Sequence, residues 1–188
     1  LKPFFFIIDE INRANVSRVF GELLVLLEGD KRGNPMYELQ LSASKKHFSI
    51  PPHIIFIGTM NTSDRSIKSL DAAFLRRFAY LNIPVDYALL EAEWLRVGAD
   101  ARTALSVKQG LQSMNEDISN ALNNRIEDAN DRLIGPSYFL PDAFNKEFNS
   151  KFVSARMEFQ VRPVLTDLMG TLKANPIVEK YKNVNNWR

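Results

Sequence analysis

The stretch Leu1-Lys2-Pro3-Phe4-Phe5-Phe6-Ile7-Ile8-Asp9-Glu10 decides the fold. A continuous apolar run that ends abruptly in two carboxylates suits a strand buried on both faces, as in a parallel sheet covered by helices. Asp9 and Glu10 then fall at the carboxyl end of that strand, where open α/β sheets bind their ligands. Adjacent carboxylates at such a place serve phosphate and magnesium chemistry, one holding Mg2+ and the other polarising a water. The alternative is a strand that ends in a solvated, charged loop. Because a central parallel strand does not stand at the edge of a fold, further strands are expected upstream, with this chain as the C-terminal part of a larger protein.

Working outward, Val16 to Glu28 has helical spacing, with Val16, Val19, Phe20, Leu23 and Leu27 on one face and Asn15 or Ser17 as cap. Met36–Leu41 and Lys46–Ile50 alternate around Ser42–Lys45 and predict a protruding β-hairpin. The surrounding segment, residues 31–50, is basic through Lys31, Arg32, Lys45 and Lys46, which suits either a solvated hairpin or a contact with a partner or nucleic acid. His53 to Gly58 is a second buried strand. If it lies parallel to the first, the polar loop Thr59 to Ser66 reaches the same end as Asp9 and Glu10. A short helix capped by Ser69, with Leu70, Ala73 and Phe74 inward, leads to Arg76-Arg77, and Phe78 to Ile83 reads as a third strand.

This alternation of strands and helices predicts a parallel sheet with helices on its faces over residues 1–84. Residues 85–188 are all-helical in pattern, with helices over Asp86–Val97, from Val107 to Ile126, and near Phe144–Gln160 and Pro163–Lys173. The tail from Asn183 to Arg188 is expected to fray.

Composition narrows the chemistry. The 188 residues contain no cysteine and only two histidines, His47 and His53, so disulfides, thiolate metal sites and histidine-rich sites are excluded. No apolar stretch approaches the roughly 20 residues that cross a bilayer, and the opening run is too short for a signal peptide. No membrane partner is expected, and a cytoplasmic location follows as the default.

Four motifs, in order, carry a resemblance to a known family. Phe5-Phe6-Ile7-Ile8-Asp9-Glu10 resembles the Walker B strand of an AAA+ NTPase, and its extension through Ile11-Asn12-Arg13 is similar to the McrB branch, the motor of a modification-dependent restriction system. Ile57-Gly58-Thr59-Met60-Asn61-Thr62-Ser63-Asp64-Arg65-Ser66 resembles that branch's Met-Asn-Thr-Ala-Asp-Arg-Ser signature. Leu70-Asp71 through Leu75-Arg76-Arg77-Phe78 resembles the segment that carries arginine fingers. Ile134-Gly135-Pro136-Ser137-Tyr138-Phe139 is similar to the Ile-Gly-His-Ser-Tyr-Phe of the helical lid, with Pro136 in place of the histidine. The resemblance covers residues 4 to 140 well and the remainder weakly.

It implies an α/β P-loop NTPase core over residues 1–84, followed by an all-helical lid subdomain over 85–188. It further implies Asp9 as the Mg2+-holding residue, Glu10 as the group that orients or deprotonates water, and Asn61 as a sensor of the γ-phosphate. Arg76 and Arg77 would act in a neighbouring subunit's site; the alternative is that they complement a helix dipole. Asn12, Asp64, Arg65 and Ser137 are implied as further nucleotide-binding residues, although Asp64 and Arg65 also suit a local ion pair. The substrate is GTP or ATP. The implied assembly is a homo-oligomeric ring, a hexamer, acting on DNA with a McrC-like nuclease. A MoxR-type remodelling ATPase and a non-catalytic AAA+ scaffold are the competing functions. The chain contains no Gly-x-x-x-x-Gly-Lys-Ser/Thr, so the Walker A loop is expected upstream and this stretch alone is expected to be inactive.

Overall fold

The computed structural model describes residues 2–60, 72–122 and 132–187. The chain divides into two compact units, Leu1–Asn82 and Ile83–Arg188.

In the first unit, strand β1 (Phe4–Ile8) pairs with β4 (Ile54–Gly58) in parallel, Phe4 opposite Ile54 and Ile8 opposite Gly58. Between them, β2 (Leu39–Gln40) and β3 (His47–Phe48) form an antiparallel hairpin. That hairpin lies where the alternation places it but is shorter, because Pro35–Tyr37 forms a 3-10 turn capped by the Asn34 side chain. Arg32 does not belong to its basic surface. Its guanidinium donates to the Leu27 and Ile54 carbonyls and lies 5.2 Å over the Phe56 ring. Lys31 is likewise engaged, by Glu28.

Helix α1 (Val16–Phe20) is capped by Asn15, whose Oδ1 accepts from the Arg18 N–H at 3.0 Å. The expected single helix to Glu28 is interrupted at Gly21, which adopts φ 49°, and the chain continues as a 3-10 segment, Gly21–Leu27. A positive φ costs glycine little and stops α-helical hydrogen bonding at that point. The core of this unit gathers Ile11, Val16, Leu26, Leu27, Ile50 and Phe74. Phe74 comes from α2 (Ala72–Leu75), whereas Ala73 is exposed. Ser69 and Leu70 lie outside the described residues.

Two expectations for this unit are corrected. Strand β1 is not buried on both faces: Phe4, Phe5, Phe6 and Ile7 are 48–65% exposed. A parallel strand is covered only where further strands and helices flank it, and β1 has one hydrogen-bonded neighbour among the described residues. Residues 78–83 form no strand. Strand geometry persists through inter-strand hydrogen bonds, and no described strand pairs with this segment, which leaves Leu81 and Ile83 open to solvent.

The second unit is helical among its described residues. Helix α3 (Tyr87–Arg96) is capped by Asp86, and α4 (Ala101–Ala121) by Asp100. The continuation of α4 toward Ile126 lies outside the described residues. Helix α5 (Ser150–Arg156) starts at the Asn149 cap rather than at Phe144. It passes through a π-helical turn, Met157–Val161, into α6 (Arg162–Met169). Pro163 sits at the start of α6 and has no N–H to offer the preceding turn, a recognised origin of such irregularity. The break expected near Pro163 falls instead at Gly170, φ 79°, after which α7 (Thr171–Tyr181) begins.

The tail does not fray: Val184–Trp187 forms a 3-10 turn, and Trp187 is buried against Phe139, Phe148 and Tyr181. Its indole N–H donates to the Tyr181 carbonyl at 2.7 Å. Trp94 supplies a second anchor, donating to the Phe139 carbonyl at 2.9 Å. Asn115, almost fully buried, donates to the Ile134 carbonyl and accepts from the Ile134 N–H. Ile134 and Phe139, two members of the lid-like motif, are therefore core residues of this unit.

Candidate functional site

Parallel pairing places the ends of β1 and β4 side by side, so that Asp9 and Glu10 stand beside Thr59. Thr59 is the residue that sequence reasoning passed over. Its hydroxyl donates to Asp9 Oδ1 at 2.5 Å and accepts from the Glu10 N–H at 3.0 Å. Its own N–H donates to the Ile8 carbonyl, and its carbonyl accepts from the Ile11 N–H. The signal lay only in position, a hydroxyl residue one step past a strand parallel to the acidic one.

Glu10 adopts φ 51° and ψ 48°, a left-handed conformation unusual for a residue with a side chain. It turns the chain sharply at the strand end into the 3-10 turn Ile11–Arg13. The Glu10 carboxylate is exposed and pairs with Arg13 at 2.6 Å. Asn12 is buried, at 8% exposure. Asp9 is exposed.

The two arginines differ. The Arg77 side chain is buried; its guanidinium pairs with Glu28 at 2.9 Å and donates to the Ala73 carbonyl of α2. Arg76 is exposed. The Glu28 carboxyl is held below its ordinary range first by the hydrogen bond from Lys31, with Arg77 and Arg76 adding positive charge nearby. Ser137 lies exposed on the 3-10 turn Pro136–Phe139 of the second unit. Asn61, Asp64 and Arg65 lie outside the described residues.

Among the described residues no group of three or more His, Asp or Glu side chains encloses a metal site. The donor set fits Mg2+ in a different way. That ion keeps most of its waters and takes one or two carboxylates together with substrate phosphates, so Asp9 alone is an adequate protein contribution.

Residues 2–78 match the family described as AAA domain, dynein-related subfamily. Over 123 residues the chain is 39% identical to the type IV methyl-directed restriction enzyme EcoKMcrB subunit of Escherichia coli strain K12, covering 63% of this chain and 27% of that protein. Residues 2–78 are thus similar to an AAA domain, and the chain resembles the McrB type. A second relative is the type II restriction enzyme BsuMI component YdiS of Bacillus subtilis strain 168, 28% identical over a 203-residue alignment that covers 97% of this chain and 57% of that protein. The chain thus spans about a quarter of one curated relative and just over half of the other. The parallel pair and the helical second unit agree with an α/β AAA+ fold that has a helical part. Among the described residues no helix is long and apolar enough to cross a membrane.

Proposed function

We propose that the protein to which this chain belongs is a nucleoside triphosphatase that hydrolyses GTP or ATP at a site built on Asp9 and Glu10. The observation that carries this reading is the shared strand end, where Asp9 and Thr59 are hydrogen-bonded and Asn61 follows two residues later in sequence. Asp9, an exposed carboxylate that accepts a hydrogen bond from Thr59, would hold Mg2+ through the ion's water shell. When bound, that ion neutralises charge on the β- and γ-phosphates. Glu10 orients the attacking water and accepts its proton, which requires its carboxylate to leave Arg13. Both groups are exposed, and an exposed ion pair is worth little, about 0–1 kcal/mol. Asn61, neutral and both donor and acceptor, is assigned to the γ-phosphate or the water.

Arg76 is the better candidate for an arginine acting in a neighbouring subunit, because its charge is exposed while that of Arg77 is spent inside its own unit. Asn12, Asp64, Arg65 and Ser137 are assigned supporting roles at the nucleotide, and residues 85–188 the role of a helical lid. We further propose a homo-oligomeric ring, a hexamer by resemblance, with a nuclease partner and DNA as the object of the work; the restriction-enzyme names of the two relatives support this reading.

The test uses the full-length protein. Wild type should turn over GTP or ATP in the presence of Mg2+, and Glu10→Gln should bind nucleotide but lose turnover by at least about a hundredfold. Unchanged turnover in Glu10→Gln would remove Glu10 from the mechanism.

A further inference from the structure

Resting on the hydrolase reading above, we propose that Thr59 is a positioning residue for the reaction, its hydroxyl orienting the Asp9 carboxylate and securing the backbone bend that presents Glu10. Thr59 makes hydrogen bonds to four successive residues. Its backbone holds Ile8 and Ile11 at 3.0 and 2.9 Å, and its hydroxyl serves Asp9 and Glu10 at 2.5 and 3.0 Å. The backbone pair would survive any side chain at this position. The hydroxyl pair would not.

Each hydroxyl bond does a separate task. The proton given to Asp9 occupies Oδ1 and fixes the carboxylate plane, so the remaining oxygen has one direction in which to meet a hydrated cation. The lone pair offered to the Glu10 N–H satisfies a donor at the point where the chain enters the left-handed region. Non-glycine residues persist there only when their surroundings dictate it. Asp9 and Glu10, assigned to two different roles, are thereby tied to a single oxygen atom. Threonine suits this because one hydroxyl donates and accepts at once, while its branched Cβ limits the rotamers available.

Valine copies the shape of threonine without the hydroxyl, and serine keeps the hydroxyl without the methyl. The experiment compares full-length wild type, Thr59→Val and Thr59→Ser. It measures Mn2+ binding by electron paramagnetic resonance with a slowly hydrolysed nucleotide analogue, and also kcat and KM. In Thr59→Val, Mn2+ affinity and kcat should each fall by about 10- to 100-fold, with nucleotide KM within about threefold of wild type. Thr59→Ser should restore both to within about threefold.

The proposal is overturned if Thr59→Val keeps wild-type Mn2+ affinity and kcat, or if Thr59→Ser is as impaired as Thr59→Val, which would make the methyl the important group. A wild type that neither binds the Mn2+–nucleotide pair nor turns over would instead overturn the hydrolase reading, and this proposal with it. If Thr59→Val does not fold, Thr59→Ala takes its place in the same comparison.

Discussion

Arg77 and Glu28 meet at 2.9 Å within the first unit, whereas Arg76, the next residue along, is exposed. Adjacent residues just past α2 differ in burial, so the two arginines have separable tasks. Arg77→Ala leaves Glu28 with Lys31 alone and removes the bond to the Ala73 carbonyl. It should lower Tm by about 5 °C, while Arg76→Ala should change it by less than about 2 °C. In mixed assemblies, Arg76→Ala subunits should partly restore turnover to Glu10→Gln subunits. Calorimetry checks the first part and steady-state turnover of mixtures the second; no recovery on mixing would count against Arg76 acting in trans.

Stability should fall on the acid side. Among the described residues four carboxyls are held below their ordinary values: Glu28 first by the Lys31 hydrogen bond, Asp100 first by the Thr103 side chain, Asp142 first by the Asn145 side chain, and Glu158 first by Lys182. Each binds its proton less tightly in the folded chain than in the unfolded one. Their contribution is therefore complete above the ordinary values of 4.5 for Glu and 3.8 for Asp, and is lost as pH drops through and below that range. Denaturant midpoints at pH 7, 4 and 3 should decline in that order, and Asp142→Asn should flatten part of the decline.

An alkaline limit should come from Tyr181. Burial pushes its phenol up to about 12, and the acceptor Asp117 at 2.9 Å adds to the shift. Here the folded chain holds the proton more tightly, so the stabilisation is present below the ordinary value of 10.0 and is lost as pH rises toward 12. Spectrophotometric titration should show one phenol ionising late, near pH 12. Tyr181→Phe should remove that late step and shallow the loss of stability above pH 10; a wild-type titration with no late phenol would refute the assignment.

Gly110 should resist replacement although it lies inside α4. A Cβ there would come within 2.6 Å of Trp187 Cδ2 and 3.0 Å of Trp187 Cβ. Replacing a mid-helix glycine by alanine ordinarily gains up to about 1 kcal/mol. Displacing a buried indole should outweigh this, since overpacking costs about 1–3 kcal/mol. Gly110→Ala is expected to lower Tm and red-shift the tryptophan emission as Trp187 meets water. An unshifted spectrum with a raised Tm would mean that the tail is not held there.

Local chemistry explains what was legible in advance. The strand Phe4–Ile8, the cap at Asn15, and the periodicity of α3 and α4 depend on neighbours within a few residues. The pairing of β1 with β4 in parallel was also implied, because two apolar runs separated by a helix and a hairpin favour a crossover. The α/β core and the McrB-type motifs were readable for the same reason, being runs of adjacent residue types.

Tertiary structure decided the rest. Phe78 to Ile83 has the composition of a strand but no described partner to bond with, and composition alone supplies no partner. Arg32 and Arg77 look like surface charges in sequence, yet carbonyls and Glu28 from distant positions draw them inward. Trp187 sits in a polar tail whose periodicity is weak, and it is ordered only because Gly110 leaves room for an indole 77 positions earlier in the chain. At the candidate site, sequence alone singled out Asp9 and Glu10 as candidates, since two carboxylates after an apolar run are visible in one dimension. That Thr59 binds both of them was decided by the parallel register, which brings together residues 49 and 50 positions apart.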